Sequence, residues 1–224
     1  MVITFIVPIC DERETIEPLV EAIRANCAGR ELRIILIDDG STDGSREVMD
    51  GAAARLEGVE AVHFERNRGK TAALAKGFSM AEGEVVFTLD GDLQDDPCEI
   101  PRFLAELDKG YDLVCGWKFI RRDPWSRRVL SRLYNWVVGR LFGLALHDVN
   151  CGFRAMKLEV AKSLDLRHDY HRLIPVLAAK RGYRVTEIEV RHHARRYGKS
   201  KYGIERYWRS LRDVARLRLE LRRE

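Results

Sequence analysis

The chain has 224 residues, 46% hydrophobic and 33% charged, with 17 Gly and 6 Pro. This is too apolar for a disordered chain and carries no collagen-like or low-complexity bias, and the length suits one domain with a substantial core. The net charge of +4 is uneven: residues 180–224 hold 15 Lys and Arg against 6 Asp and Glu, leaving an acidic body with a basic tail that suits an anionic partner.

The first half alternates in period. Ile3–Ile9 is a short apolar run rich in β-branched residues, followed by Ile16, Leu19, Val20 and Ile23 at helical spacing. Leu32–Ile37 reads as a buried strand, Val48–Leu56 as the end of a helix, Val59–Phe64 as strand and Thr71–Met80 as an Ala-rich helix. Glu84–Leu89 and Tyr111–Cys115 read as strands flanking a helix over Ile100–Leu107. Such alternation predicts an α/β domain with a mainly parallel sheet. The second half is less regular: helices are expected at Trp125–Gly139, Lys157–Leu164 and Tyr202–Arg223, and a strand at Val185–His192.

No uncharged apolar run approaches the roughly 18 residues of a membrane span; the longest, Leu133–Gly139 and Leu141–His147, are split by Arg140. The start of the chain carries no basic leader or cleavage site, so a cytoplasmic protein is expected. Cys10, Cys27, Cys98, Cys115 and Cys151 are odd in number and lack CxxC spacing, which favours reduced packing thiols over a disulfide frame or zinc site.

Carboxylates gather after three expected strands: Asp11-Glu12, Asp38-Asp39 and Asp90/Asp92. Ligands of open α/β sheets bind outside the carboxyl ends of strands, so three acidic strand ends describe one cleft. In Asp90-Gly91-Asp92-Leu93-Gln94, two carboxylates leaving a strand through Gly91, with a neutral oxygen from Gln94, suit Mg²⁺ or Mn²⁺. Asp95 and Asp96 before Pro97 read as helix caps. Gly69-Lys70-Thr71 is not a phosphate-binding ATPase loop, because the earlier glycine it needs is Phe64, and no GxGxxG follows the first strand. A basic run from Arg191 to Tyr202, centred on Gly198 and Ser200, could fold over phosphate. His168, His171, His192 and His193 lack metal-ligand spacing and read as surface or loop residues. A second basic group with Lys118, Arg121, Arg122 and Arg132 admits nucleic-acid binding, but the acidic cleft would repel a long polyanion. Ile204, Tyr207, Trp208, Leu211, Val214 and Ala215 share one face of the last helix, a stripe that packs on its own domain or docks a basic helix on an anionic membrane.

Taken in order, Val7–Glu12, Ile37–Asp43, Asn67–Lys70, Leu89–Asp95, Asn150–Met156 and His192–Tyr202 resemble the family 2 glycosyltransferases with a GT-A fold. The closer likeness is to the polyprenyl-phosphate, dolichyl-phosphate mannose synthase-like branch. The resemblance implies a Rossmann-like, mainly parallel sheet flanked by helices and ending in a basic amphipathic helix. It implies a nucleotide-sugar half at 1–117, an acceptor half at 118–202 and the helix at 203–224. Pro8, Asp11, Glu12, Asp38, Asp39, Lys70 and Asp90 would hold the donor, GDP-mannose or a UDP-hexose. Asp90, Asp92 and Gln94 would hold Mg²⁺ or Mn²⁺. Lys118, Arg132 and Ser200 would meet the acceptor phosphate, and Asp92, Arg195 and Lys201 would carry catalysis. The activity implied is metal-dependent, inverting transfer of a sugar, mannose or glucose above all, to a polyprenyl or dolichyl phosphate, at the inner face of a membrane and without nucleic acid. The rivals are a family 2 enzyme with a soluble or glycan hydroxyl acceptor and a nucleotide-sugar-binding or nucleic-acid-binding protein without turnover. Many members of the branch continue into transmembrane helices where this sequence ends in a basic helix.

Overall fold

The computed structural model describes residues 1–119, 125–195 and 205–221, with side chains at 125–128 and 205–209 outside the description. In chain order it forms β1 (Val2–Ile9), α1 (Ile16–Asn26), β2 (Glu31–Asp38), α2 (Ser45–Arg55), β3 (Val59–His63), α3 (Lys70–Met80), β4 (Val85–Thr88) and α4 (Ile100–Asp108). Then come β5 (Leu113–Trp117), α5 (Trp125–Phe142), β6 (Arg154–Lys157), α6 (Leu158–Ser163), α7 (Ile174–Lys180), β7 (Val185–Glu189) and α8 (Glu205–Glu220). The seven strands make one sheet in the order β3-β2-β1-β4-β6-β5-β7, parallel except for β6, which runs against both β4 and β5. The mainly parallel α/β sheet is therefore as expected.

Both faces of the central strands are buried, which is why β1 and β2 read as nearly continuous apolar runs. Ile3, Phe5, Val7 and Ile9 point to one face, with Phe87, Phe103 and Phe153; Ile6 points to the other, with Ile35, Ile37 and Val86. On the first face Phe5 stacks on Phe87 at 4.9 Å, and Phe103 of α4 lies 4.4 Å from Phe153 and 5.8 Å edge-on to Phe87. This aromatic cluster pins α4 to the sheet centre. Phe103→Ala should cost about 3–5 kcal/mol of stability, checked by the shift of the urea unfolding midpoint; a change near zero would mean the cluster collapses without loss.

Two elements depart from expectation. β6 is unforeseen from Arg154-Ala155-Met156-Lys157, because four residues with charged ends carry no usable period; they extend because β4 and β5 offer complementary edges. Helix α7, Ile174–Lys180, is likewise unforeseen. The last helix spans Glu205–Glu220, with Val214 and Leu217 buried and Leu211 exposed. Its inner face is bonded to the body: Arg172 Nη1 donates to Ser210 Oγ at 2.9 Å and Tyr170 Oη donates to Glu220 at 2.8 Å.

Candidate active site

Because β2, β1 and β4 are adjacent and parallel, their carboxyl ends open on one edge, and the three acidic strand ends meet there. The turn after β1 is held to the loop after β2 by short bonds. The Asp11 N–H donates to Ser41 Oγ at 2.9 Å, the Thr42 N–H donates to Asp11 Oδ1 at 2.8 Å, and the Glu12 N–H donates to Ser45 Oγ at 3.0 Å. Asp11 takes φ 47°, a left-handed conformation that a short polar side chain tolerates with local hydrogen bonds. Pro8, the penultimate residue of β1, is half-buried and paired with Ile37 of β2.

Asp38 and Asp39 act from inside this wall. Asp38 is fully buried; its Oδ1 accepts the Ser41 N–H at 2.7 Å, and its Oδ2 lies 3.3 Å from His63 Nδ1 and 3.4 Å from Arg46. Asp39 accepts the Arg68 N–H at 2.6 Å and the Gly69 N–H at 2.9 Å, which ties the approach to α3 into the wall. Burial raises the Asp39 carboxyl above the usual carboxylate range despite these two donors.

The floor of the cleft is a carboxylate cluster in which each acid meets a cation. Lys70 Nζ, at the start of α3, contacts Asp90 Oδ1. Arg195 Nη2 lies 2.7 Å from Asp92 Oδ2, and its Nη1 lies 3.2 Å from Glu12 Oε1. Lys118 Nζ lies 2.8 Å from Asp95 Oδ1. Burial opposes the charge on Asp90, but Lys70 and Lys118 overcome it and hold the carboxyl well below its ordinary range. Burial and the repulsion of Asp90 and Asp95 push Asp92 up, against Arg195. Like charges this close favour an added cation.

The residues expected to act in this cleft thus fall into three groups. Glu12, Lys70, Asp90, Asp92 and Arg195 are brought together. Gln94 joins from the rim, where its N–H lies 3.2 Å from Asp92 Oδ1 and its side-chain amide donates to the His193 carbonyl at 3.0 Å. Lys118, expected toward an acceptor phosphate, is turned into the cluster as the counter-ion of Asp95, while Arg132 stands exposed on α5. Ser200 and Lys201 lie outside the described residues. Of the two expected caps, Asp96 accepts the Cys98 N–H at 2.9 Å, whereas Asp95 is taken by Lys118.

The chain after β7 is strapped across the cleft. Asp95 and His192 form an antiparallel bridge, the His193 N–H donates to the Gln94 carbonyl at 2.8 Å, and His193 Nε2 lies 3.1 Å from Asp96 Oδ2. These bonds deliver Arg195 to Asp92. His193, read as a loop residue, is one of the fasteners. His171 is another miss: Nδ1 lies 2.7 Å from Thr71 Oγ1, and burial with Lys70, Arg172 and Arg154 nearby drives its pKa well below the ordinary value, so the imidazole is neutral. No local signal marks His171, since only the fold carries it to α3. Gly152 is the third miss: a Cβ there would fall 2.9 Å from Asp90 Oδ1. The buried thiols Cys115 and Cys151 are pushed up by burial, Cys151 to about 12, and are packing groups.

A divalent cation suits this donor set. Asp90 and Asp92 are hard ligands from one turn, and 36% of the Asp90 side chain faces the opening. Among the described residues no group of three or more His, Cys, Asp or Glu encloses a metal by itself. Mg²⁺ and Mn²⁺ commonly take one or two protein carboxylates and complete their shell with water and substrate phosphate.

Residues 4–168 match the model of glycosyl transferase family 2. The chain belongs to that family. This family 2 member is 38% identical over 205 residues to undecaprenyl-phosphate 4-deoxy-4-formamido-L-arabinose transferase of Edwardsiella ictaluri (strain 93-146), covering 90% of this chain and 63% of that protein. It is 37% identical over 224 residues to dodecaprenyl-phosphate galacturonate synthase of Rhizobium johnstonii (strain DSM 114642 / LMG 32736 / 3841), covering 95% and 65%. The chain therefore spans a little under two thirds of each relative's length. Both names carry sugars other than mannose, so the expected likeness to a mannosyltransferase narrows to likeness within the polyprenyl-phosphate branch. In fold, it superimposes on glucosyl-3-phosphoglycerate synthase from Mycobacterium tuberculosis bound to phosphoglyceric acid with a TM-score of 0.73 at 21% identity, over 98% of this chain and 79% of that one. The same enzyme with Mn²⁺ and UDP-glucose aligns at 0.70 and 21%, over 96% and 77%. This likeness establishes the GT-A arrangement of sheet and helices.

Proposed function

We propose that this family 2 protein transfers a sugar from a UDP-sugar to the phosphate of a polyprenyl phosphate, with inversion at the anomeric carbon. One observation carries the reading: Asp90, Asp92 and Asp95 are paired one to one with Lys70, Arg195 and Lys118 at the shared carboxyl edge of the sheet. The names of the two relatives support the lipid phosphate. A UDP donor is favoured by the nucleotide sugar held by the fold neighbour. Residues 1–117 form the donor side in this reading, and 118–202 bring the acceptor.

Asp90 and Asp92, with Gln94 beside them, would hold Mg²⁺ or Mn²⁺. The bound ion supplies charge neutralisation to the departing diphosphate. Asp11 and Glu12, stitched to Ser41, Thr42 and Ser45, shape the wall for the nucleoside, and Asp38 and Asp39 keep that wall rigid from behind. Lys70 and Arg195 stand where negative charge grows as the bond from anomeric carbon to diphosphate breaks, and preorganised cations stabilise that charge. Lys201 is assigned to the same diphosphate, and Ser200 and Arg132 to the acceptor phosphate. The incoming phosphate, with a second pKa of about 6, is already anionic at neutral pH, so its oxygen attacks without a general base. A hydroxyl nucleophile would want such a base within hydrogen-bond reach.

The test is nucleotide release from purified protein with Mn²⁺, across UDP-glucose, UDP-galacturonate and GDP-mannose, with and without a polyprenyl phosphate. Release from a UDP-sugar that requires the lipid is expected. Release that ignores the lipid but needs a soluble hydroxyl compound would move the enzyme to the other acceptor class, and donor binding without any release would make it a binding protein. Preference for GDP-mannose would overturn the donor assignment alone.

A further inference from the structure

Arg195 sits where a divalent cation would need to be. Its Nη2 lies 2.7 Å from Asp92 Oδ2, and its Nη1 lies 3.2 Å from Glu12 Oε1. The fork spans both carboxylates and covers them. The Glu12 and Asp92 side chains are 10% and 11% exposed, whereas 36% of the Asp90 side chain faces the opening. An ion can reach Asp90 from solvent, but it meets Asp92 where the guanidinium already stands.

The two carboxylates are not placed to part and admit both cations. The buried Thr15 Oγ1 lies 2.7 Å from the Glu12 carbonyl and 2.6 Å from the Gly91 carbonyl, which rivets the turn after β1 to the backbone between Asp90 and Asp92. The Glu12 N–H is held in turn by Ser45 Oγ at 3.0 Å. The guanidinium, by contrast, ends a long side chain. The strap beneath it is fastened, since the His193 N–H donates to the Gln94 carbonyl and the Gln94 amide donates to the His193 carbonyl. Rotation of the Arg195 side chain alone therefore frees Asp92, with Glu12 beside it as the second berth.

Charge decides what drives that rotation. Glu12, Asp90, Asp92 and Asp95 face Lys70, Lys118 and Arg195, so these side chains together carry a single negative charge when ionised. A divalent ion entering alone overshoots that charge and stands within a few ångströms of Lys70 and Arg195, a repulsion that a partly buried site screens poorly. An ion that arrives with a diphosphate brings its own compensating charge. A phosphate also offers Arg195 the paired oxygens that suit its planar fork.

We infer that Arg195 holds the cation position at Asp92 in the metal-free protein, and that the metal enters together with the nucleotide's diphosphate, which takes the guanidinium over. This order of entry deepens the proposed function: it rests on the assignment of Asp90 and Asp92 to the metal, and the acceptor plays no part in it.

The test is binding of Mn²⁺ to the whole chain, followed by electron paramagnetic resonance of the free ion, and binding of UDP with and without Mn²⁺ by calorimetry. Without nucleotide, Arg195→Gln should bind Mn²⁺ at least about tenfold more tightly than the parent, because one positive charge next to the ion is gone. Arg195→Lys keeps that charge and should bind Mn²⁺ alone as the parent does. The factor by which Mn²⁺ tightens UDP is, by linkage, the factor by which UDP tightens Mn²⁺. It should be large in the parent and at least about tenfold smaller in Arg195→Gln, where no guanidinium has to be lifted away. Equal Mn²⁺ affinity in parent and Arg195→Gln, or an unchanged coupling factor, would overturn the inference and leave the metal assignment standing. Equal tightening by Gln and Lys would overturn it too, since the cause would then be a disturbed strap and not the charge. No Mn²⁺ binding by the parent even with UDP would remove the metal assignment itself, and the inference with it.

Discussion

Asp92→Asn is expected to lower nucleotide release by about 10²–10³-fold, the range for removing one preorganised charge-stabilising group, while the melting temperature holds or rises. The two halves of this expectation have one cause. Asp92 is nearly enclosed, and burial together with Asp90 and Asp95 disfavours its charge in the folded chain, against Arg195 and the Gln94 N–H. A carboxylate kept under such repulsion contributes little to stability, and its replacement by an amide of equal size relieves the cluster. What is lost is a hard anionic ligand and the partner that stations Arg195 over the cleft. Release assays and thermal melts on the same preparation check both halves. A variant with lowered activity and a melting temperature lowered in step would mean that Asp92 is a structural residue of the strap.

The second large effect is expected from Gly152→Ala. Gly152 precedes β6 and presses its backbone against Asp90, so the added methyl would sit 2.9 Å from Asp90 Oδ1 and 3.1 Å from Cγ. The Gly152 carbonyl is anchored by Thr88 Oγ1 at 2.8 Å, so the backbone is held and the carboxylate must give way. A displaced Asp90 loses its contact with Lys70 and its place beside Asp92. Activity should fall by about 10²-fold, as misplacement of reacting groups by an ångström does, with stability lowered by less than about 2 kcal/mol because only a side-chain end moves. Raised Mn²⁺ concentration should recover part of the loss. Unaltered kinetics would show that Asp90 accommodates the methyl without consequence.

Much of the fold is legible locally. Strands buried on both faces announce themselves as unbroken apolar runs, as in Ile3–Ile9 and Leu32–Ile37, and the helices between them keep a clean stripe such as Ile16, Leu19, Val20 and Ile23. The acidic strand ends are legible too, because carboxylates at the end of an apolar run are neither core nor helix surface. Less legible is what each carboxylate faces. Asp38 and Asp39 look like Asp11 in sequence, yet they bond inward to Ser41, Arg68 and Gly69 and stiffen the wall. Lys118 reads as a cation for an incoming phosphate, and nothing in the sequence shows that its Nζ lies 2.8 Å from Asp95. Such pairings join residues 20 to more than 100 positions apart, as for Lys70 with Asp90 and Arg195 with Asp92, and no periodicity records them.

By itself the amino-acid order determined the alternating α/β pattern, the acidic edge and the ordered motifs of the family, since each depends on neighbours a few residues apart. The tertiary structure alone decided the antiparallel insertion of β6, which sets Gly152 against Asp90 and brings His171 to Thr71. It also decided which apolar side chains of the amphipathic helices are covered. α8 turns Val214 and Leu217 to the core and leaves Leu211 and Leu219 outside, while α5 buries Tyr134, Val138 and Phe142 and leaves Leu133 and Trp136 outside. A helix's stripe specifies only that it needs cover, and the packing of the remaining elements settles whether the protein or another surface provides it.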